Sequence, residues 1–525
     1  MEIESSEINL DEFGSNENAN LKAFNFINQL DIDTNAAQKL SASLSGVLRG
    51  NDVVLRSPIA KNLNTDDILL GWDTIFNANL KDVNKTLLDV ENNQRDKFGP
   101  RSIQAPWKQR RSSLYDYFTT VNSTSSYSSS FVDMLDYKSK LRPLSLSNSI
   151  SELKNSTSSG LPFLLKKGNL KERYMKDFNK LLARRDPCVL FTRTQEQGKT
   201  RNVWGYPMAD TINEMRYFKP ILKYTRSLPW RAALIGPDAV DRAISQQINA
   251  ALANNQILIS IDFSSYDASI GDSLFSLSCD MTKSLFQSQF HHEIESLYDR
   301  IKSIPIITPD GIIRGNHGVP SGSTFTNHID SDAQLAAGLN SGINFVGMSW
   351  QIQGDDGVWR VHERDIDILL NTFKSFGLNL NEDKSSISGD HCTYLQMLYH
   401  KDYQDNGGLI RGIYPTYRAL NRIIHQERWS SFEDYNIEGR DYYSIRTISI
   451  LENCRNHPLF VELVKYILSI DKYGLHFSND GLRKYVRMLE ESSGVTGLII
   501  NQYGDDVKGI KRFETYKLIK KLSKA

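Results

Sequence analysis

The sequence predicts an α+β protein in which short strands and hairpins lie among amphipathic helices, and three stretches carry that expectation. Phe345, Val346, Met348, Trp350 and Ile352 precede Gly354-Asp355-Asp356-Gly357, and Val358 and Val361 resume after it, so these four residues sit where a β-hairpin turns. Ile257-Leu258-Ile259-Ser260-Ile261 is a β-rich run of the kind buried in a central strand, and it ends at Asp262. Apolar residues repeat at helical spacing on either side of that run: Ala243, Ile244, Ile248 and Leu252 before it, Leu274, Leu277, Met281 and Leu285 after it.

Composition bounds the function. At 525 residues the chain is long enough for several subdomains, and 40% hydrophobic with 24% charged residues is ordinary for a globular protein. Lys and Arg (62) equal Asp and Glu (62), so a polyanion site has to come from local segregation of charge. Cys188, Cys279, Cys392 and Cys454 stand alone, which argues against a disulfide framework or zinc cluster and fits a reducing compartment. No run of about 18 apolar residues appears, and the acidic N-terminus is not a signal peptide. A soluble, intracellular protein is expected.

Residues 1–20 carry Glu2, Glu4, Glu7, Asp11, Glu12 and Glu17 with no Lys or Arg before Lys22, the composition of a disordered arm. Leu21 to Asn93 is mostly helical in spacing. Trp107, Lys108, Arg110 and Arg111 suit either an anchored Trp or contact with RNA. The Ser-rich stretches Ser123 to Ser130 and Ser145 to Ser159 read as loops. Between Lys166 and Arg201 eleven bases face four acids, and from Arg193 onward Thr, Gln and Gly separate the cations, which fits a β-ribbon or loop. Gly198-Lys199-Thr200 is not a phosphate loop, because Arg193 stands where that motif needs its first Gly.

Gly315 to Ser323 is a Gly-rich loop opening a helix through Asn327, Asp330, Ala333, Ala336 and Ala337. Its small residues let the backbone approach a ligand, and free N–H groups at a helix start attract an anion such as phosphate. A cap by Ser321 or Ser323 is the plainer alternative. Asp365 caps a helix carrying Ile366, Leu369, Leu370, Phe373 and Phe376, stopped by Gly377. Tyr394 to Tyr399 and Ile410 to Tyr414 flank Asn406-Gly407-Gly408 and predict a second hairpin. The remainder is largely helical, with a basic end.

Two adjacent carboxylates on a solvated turn repel one another, so Asp355 and Asp356 are costly unless a divalent cation shares them. Asp and Gly are also ordinary turn residues. Metal binding gains force from Asp262, because an acid closing a buried strand points into the crevice above the sheet, beside the hairpin.

In this order the stretches resemble the motifs of viral RNA-dependent RNA polymerases. Asp262-Phe-Ser-Ser-Tyr-Asp267 is similar to motif A, Ser321-Gly322 with Thr326 and Asp330 to motif B, and Gly354-Asp355-Asp356 to motif C. Lys384 in Asn-Glu-Asp-Lys-Ser matches motif D, and Tyr394-Leu395 begins motif E. Glu196-Gln-Gly-Lys-Thr-Arg201 resembles motif F, and Thr157-Ser-Ser-Gly-Leu-Pro162 motif G. Length and the Ser-Gly-Ser-Thr-Phe-Thr-Asn-His-Ile-Asp-Ser form of motif B look most like the picobirnavirus polymerases, with partitivirus polymerases as near neighbours.

The resemblance implies a right hand of fingers, palm and thumb, its palm an antiparallel sheet flanked by helices, closed by an N-terminal extension. By analogy, residues 1–100 are that extension, bridging fingers and thumb; 101–217 with 303–317 are fingers; 218–302 and 318–412 are palm; 413–525 are thumb and C-terminal segment. It implies template-directed nucleotidyl transfer from NTPs with two Mg²⁺ ions, for which Mn²⁺ can substitute. Asp262 and Asp355 would bridge the ions, with Asp356 auxiliary and the Phe263 carbonyl completing the triphosphate-side ion. Ser321, Gly322, Thr326 and Asn327 would line the nucleotide pocket, where Asp267 and Asp330 sense the ribose 2′-hydroxyl.

Many relatives carry Asn where this chain has Asp330. Two acids accept but do not donate unless one is protonated, so a raised pKa or a bridging Ser321, Thr326 or Asn327 is expected. Arg201 and Lys199, with Arg193, would neutralise the triphosphate and flank its base. Lys384 would be the general acid for pyrophosphate, and Thr157, Ser158, Gly160 and Pro162 would guide the template.

The same resemblance implies replication and transcription of a double-stranded RNA virus genome, with primer-independent starts for which Trp429 to Tyr443 and Ser492 to Asp506 are candidate priming loops. Single- and double-stranded RNA, NTPs and the viral capsid protein are the expected partners, without a membrane, in the host cytoplasm and inside the virion. A reverse transcriptase also pairs Asp residues in its palm, but it carries a bulky steric gate where Asp267 stands and lacks the Glu196 to Arg201 ribbon. A catalytically silent, capsid-associated RNA-binding protein would not need Asp262, Asp355 and Asp356 together.

Overall fold

The computed structural model describes residues 2–4, 24–119, 121, 123, 140–381, 385–493 and 507–523. In chain order its strands are β1 (Glu2–Glu4), β2 (Cys188–Thr194), β3 (Thr200–Gly205), β4 (Ile257–Ile261), β5 (Ile306–Thr308), β6 (Gly311–Arg314), β7 (Trp350–Gln353), β8 (Asp356–Val361), β9 (Ser386–Ser388), β10 (His391–Tyr394) and β11 (Met397–His400). They form an antiparallel sheet β7-β8-β4-β9, a mixed sheet β1-β6-β5-β2-β3 and the hairpin β10-β11.

β4 is apolar along its length because both of its faces are covered. Ile259 and Ile261 enter a core with the helices Asp272–Leu285, Thr326–Leu339 and Ile366–Ser375. Leu258 packs the other way, with Ile244 and Ile248 of the helix Pro237–Asn254 and Val358 of β8. The helices expected around this strand are therefore present, and they clamp it from both sides.

In the mixed sheet, Val189, Ile307 and Ile312 meet Leu40 and Leu44 of the helix Thr34–Arg49, while Leu190, Ile306 and Ile313 meet Trp107 and Leu114 of the helix Trp107–Tyr115. Trp107 is fully buried and Arg110 donates to Asn202 Oδ1 at 2.7 Å, so the anchored Trp prevails there over an RNA-facing patch. The C-terminal helices Thr416–Ile424, Gly439–Leu451 and Phe460–Ile470 share a core with Ile68, Trp72 and Phe76 of the helix Thr65–Ala78. The N-terminal third thus holds onto both the mixed sheet and the C-terminal helices.

Three local expectations are corrected. Residues Leu146–Ser151 within the Ser-rich stretch form a helix, because Ser145 Oγ accepts from Asn148 N at 3.3 Å and caps it. The second hairpin turns at Leu395-Gln396, where φ is +50° and +66°, and not at Asn406-Gly407-Gly408, which closes only isolated bridges. In the aromatic stretch, Phe432 stacks on Tyr442 at 4.4 Å and Tyr443 is buried beside them, so these rings serve the core; Trp429 alone among them stays largely exposed. Residues 124–130 and 494–506, and most of the acidic arm, lie outside the described residues.

Glu91 ties the N-terminal third down. Fully buried on the helix Lys85–Arg95, it accepts from Thr416 N (2.6 Å), Thr416 Oγ1 (2.7 Å) and Tyr417 N (3.1 Å), capping the helix Thr416–Ile424 from outside. Glu91→Ala leaves those donors buried without a partner and is expected to cost about 3–5 kcal/mol, read as a lower denaturant midpoint, with Glu91→Gln intermediate.

Candidate active site

The register of the four-stranded sheet brings the acids to one end of it. β4 pairs with β8 from Ile257↔Val361 to Ile261↔Gly357, so Asp262 emerges directly beside the tip of the β7–β8 hairpin, where Gln353 pairs with Asp356. Gly354 takes φ +68°, a conformation that suits glycine, and its N–H donates to Ser331 Oγ at 2.8 Å. Gln334 secures the turn: its Nε2 donates to the carbonyls of Gly354 (3.4 Å) and Asp355 (3.1 Å), and its Oε1 accepts from Trp359 Nε1 (3.2 Å). Sequence reasoning missed Gln334, since nothing local marks a helix glutamine as a hairpin clamp.

On the strand side, Asn381 N donates to Asp262 O at 2.8 Å and Ser264 N to Asn379 O at 2.9 Å; these bonds leave the Phe263 carbonyl out. The Phe263 ring stacks on Tyr266 at 4.8 Å, and Ser265 at φ +50° turns the chain into the short helix Tyr266–Ser269 that presents Asp267.

Like charges dominate this end of the sheet. Burial and the Asp355 carboxylate push Asp267 up to about 6, against the pull of Arg201. Asp355 is solvent-accessible at the tip, yet the protein atoms crowding it raise its pKa, and Asp262 adds to the effect. Asp330, buried on the helix Thr326–Leu339, is raised well above the ordinary carboxylate range by burial, Asp267 and Asp355, and its Oδ1 has no hydrogen-bond partner among the described residues. The raised pKa expected of this acid pair is therefore present.

The expected bridging group is not found among the described residues. Ser321 Oγ accepts from Trp204 N at 3.3 Å, Thr326 Oγ1 donates to the carbonyls of Pro320 and Ser323 at 2.9 Å each, and Asn327 Oδ1 accepts from Arg231 and Gln353 at 2.9 Å each. All three polar groups fix the loop itself. Gly322 lies so close to the Trp204 carbonyl that no side chain fits there.

The start of this helix also meets a different anion from the phosphate expected. Glu214 Oε2, from the helix Met208–Thr225, accepts from Ser323 Oγ (3.0 Å), Thr324 N (2.7 Å) and Thr324 Oγ1 (2.8 Å). Burial raises Glu214 to about 7 despite these donors. A buried carboxylate more than a hundred positions upstream leaves no mark in the loop's own sequence.

The basic ribbon is the hairpin β2–β3, with Arg193 opposite Arg201. Arg193 Nε donates to Glu427 Oε1 at 3.1 Å, and Arg201 Nε to Gln195 Oε1 at 3.0 Å; Lys199 is exposed at the turn. Thr157 and Ser158 are exposed, whereas Gly160 (φ +60°) and Pro162, after a cis bond, are buried. Lys384 lies outside the described residues. Donor atoms of Asp390, His391 and His400 also converge, at the end of β4 opposite Asp262, but there Lys401 Nζ sits 2.9 Å from Asp390 and already supplies a matching cation.

An acid-tipped hairpin paired to an acid-ended strand, beneath a basic ribbon, matches a known class. The sequence model of the family described as viral RNA-dependent RNA polymerase matches residues 106–468, and the chain belongs to that family. It is an enzyme of the right-hand polymerase fold. Among its relatives, the potential RNA-dependent RNA polymerase of a human picobirnavirus is 27% identical over 506 residues, covering 89% of this chain and 93% of that one. The RNA-directed RNA polymerase of Cryptosporidium parvum virus 1 is 27% identical over 283 residues, 47% and 52% of the two chains.

Crystal structures of a human picobirnavirus polymerase are similar throughout. The polymerase itself superposes with a TM-score of 0.77 at 25% identity, covering 92% of this chain and 96% of that one. Its insertion-loop deletion mutant gives 0.79 at 24%, with 92% and 97% covered. Among the described residues, no helix is long and apolar enough to cross a membrane.

Glu214 makes a pH-dependent contribution whose sign follows from its raised pKa. Between its ordinary 4.5 and about 7 the unfolded chain has lost the proton that the folded chain keeps, so stability falls as pH rises through that window. Urea titrations at pH 5 and pH 7 are expected to show this decline in the wild type and a decline shallower by about one proton in Glu214→Gln.

Proposed function

We propose that the chain replicates and transcribes the genome of a double-stranded RNA virus by two-metal nucleotidyl transfer from NTPs, starting without a primer. The observation that carries this reading is the convergence of Asp262, Asp355 and Asp356 at one end of the β4–β8 pair, with Asp267, Asp330 and Arg201 in electrostatic reach. The donor set fits hard divalent ions: burial and the Asp262 carboxylate raise the pKa of Asp355, and the Phe263 carbonyl stands clear of the bonds that pin its turn. Asp262, Asp355, Asp356 and the Phe263 carbonyl would hold two Mg²⁺, or Mn²⁺ in their place. When bound, such ions supply activation of a 3′-hydroxyl and neutralisation of a pyrophosphate leaving group.

The chain's own residues do the rest. Arg201 and Lys199 bind the triphosphate, with Arg193 beside them held by Glu427. Asp267 accepts from the ribose 2′-hydroxyl and Asp330, holding its proton, donates to it, above a loop that Ser321, Gly322, Thr326 and Asn327 keep rigid. Lys384 protonates the departing pyrophosphate, and Thr157, Ser158, Gly160 and Pro162 lead in the template backbone. The domain limits given above, a place in the host cytoplasm and the virion, and contact with capsid protein belong to the same reading.

Incorporation of labelled NTPs on single-stranded RNA with Mg²⁺ and no primer tests it. Wild type is expected to make full-length product, and Asp355→Ala to lose at least about 10²–10³-fold. Product made only from a supplied primer would remove the unaided start, and equal product from Asp355→Ala would overturn the catalytic assignment.

A further inference from the structure

The ribbon β2–β3 carries Arg193, Lys199 and Arg201, and it needs a hold from outside itself. β2 pairs with β5 only at Cys188 and Val189, so the part that bears these cations is two-stranded. A two-stranded ribbon is marginal alone, and like charges on it repel one another. The segment 96–105 lines it: Asp96 O accepts from Gln197 Nε2 at 3.3 Å, Gln104 Oε1 from Thr192 Oγ1 at 3.0 Å, and Ala105 N donates to Thr200 Oγ1 at 2.9 Å. The loop that follows the helix Thr416–Ile424 meets it at Glu427, whose carbonyl accepts from Thr194 Oγ1 at 3.4 Å and whose Oε1 accepts from Arg193 Nε at 3.1 Å.

Arg101 joins these two holds. Its side chain is only 9% exposed; its Nε lies 2.9 Å from Glu196 Oε1, at the turn of the ribbon, and its Nη2 3.7 Å from Glu427 Oε2. Glu427 is therefore shared, one oxygen on Arg193 and the other facing Arg101. Backbone bonds fix the spacing. Leu55 N donates to Ser102 Oγ at 2.9 Å while Leu55 O accepts from Gln426 N at 2.9 Å, so the residue after Arg101 and the residue before Glu427 are tied through a single residue. Arg193 is gripped by its Nε alone: its side chain is 59% exposed, and among the described residues its two Nη groups make no hydrogen bond. A guanidinium held in this way keeps a fork of donors for two phosphate oxygens.

We propose that Arg101 is a positioning residue for the incoming triphosphate: through Glu427 it holds the Arg193 guanidinium by its Nε with the Nη fork open to phosphate oxygens, and through Glu196 it holds the turn that carries Lys199. The proposal rests on the reading of Arg193 and Lys199 as triphosphate ligands. It gives the segment ahead of the helix Trp107–Tyr115, and a loop among the C-terminal helices, a part in substrate binding without contact to the substrate. Loss of either ion pair frees the Arg193 side chain to sample other rotamers, and the triphosphate then has to order it on binding.

Single-nucleotide incorporation kinetics test it, with kcat and KM for NTP and the Ki of inorganic tripolyphosphate as a competitor measured in wild type, Arg101→Lys, Glu427→Ala, Arg193→Ala and the Glu427→Ala, Arg193→Ala double variant. Lysine keeps the buried charge but offers a point donor in place of a fork, and Glu427→Ala, at a partly exposed position, keeps the proposal falsifiable should the chain not tolerate Lys at 101. In both, KM and Ki are expected to rise together about fivefold with kcat near wild type, the size of one partly exposed ion pair. Glu427→Ala is expected to change nothing further in the Arg193→Ala background. Unchanged KM and Ki overturn the proposal, and so does a fall in either, which would show Glu427 competing with the substrate for Arg193. A loss of kcat with Ki unchanged would show a merely structural role and overturns it too, and a rise in Glu427→Ala with none in Arg101→Lys removes Arg101. If Arg193→Ala itself leaves KM and Ki at wild-type values, the triphosphate reading of Arg193 fails and the proposal with it. If Arg193→Ala raises both and the other two variants raise neither, only the positioning role fails.

Discussion

β4 is buried on both faces and hydrogen-bonded on both edges, and the position of every acid in the cleft depends on that. With Ile259 and Ile261 packed into one core and Leu258 into another, a one-residue slip would swap these side chains between two differently fitted cores and draw Asp262 into the buried strand. Its pairing with β8 then fixes Asp262 beside the Gly354-Asp355 turn. Gln334 and Ser331, one helical turn apart, bolt that turn to the helix Thr326–Leu339, the same helix that carries Asp330. Strand, hairpin and helix therefore hold their acids as one unit.

The electrostatics of that unit run against folding. Two carboxylates about 5 Å apart repel by roughly 3 kcal/mol at an effective dielectric near 20, and burial adds to the cost. Asp267, Asp330 and Asp355 accordingly all have raised pKa values, while Arg201 is the cation that acts on both Asp267 and Asp355. Such a cluster is retained at a functional site because its stability is supplied by packing elsewhere. Here the supply is visible in the long-range caps: Glu91 on Thr416, Glu214 on Thr324 and Glu452 on Thr515 each fasten a helix start from a distant element.

What could be read from the chain alone was what local pattern encodes. The apolar run 257–261, the Gly-Asp-Asp-Gly turn and the helical repeats around them stand in the structure as their periods predict, because burial of one or two faces enforces each period. Long-range partners were not legible. Gln334 and Glu214 lie on ordinary helical stretches, and only the fold brings them to the site. The misplaced second hairpin has a local origin: Leu395 and Gln396 take the left-handed conformations that a two-residue hairpin turn needs, which neither residue type signals, whereas the glycines at 407 and 408 advertised a turn that closes no ladder.

The central claim is that the acids at the end of β4 and β8 are a divalent-cation site built into the sheet, and direct counting of bound ions tests it most closely. Electron paramagnetic resonance titration of Mn²⁺ into the full chain, free of RNA and nucleotide, is predicted to show saturable binding that Mg²⁺ displaces. Asp262→Asn and Asp355→Asn together are predicted to abolish it while the far-ultraviolet circular dichroism stays unchanged. Undiminished Mn²⁺ binding in that folded double variant would contradict the account.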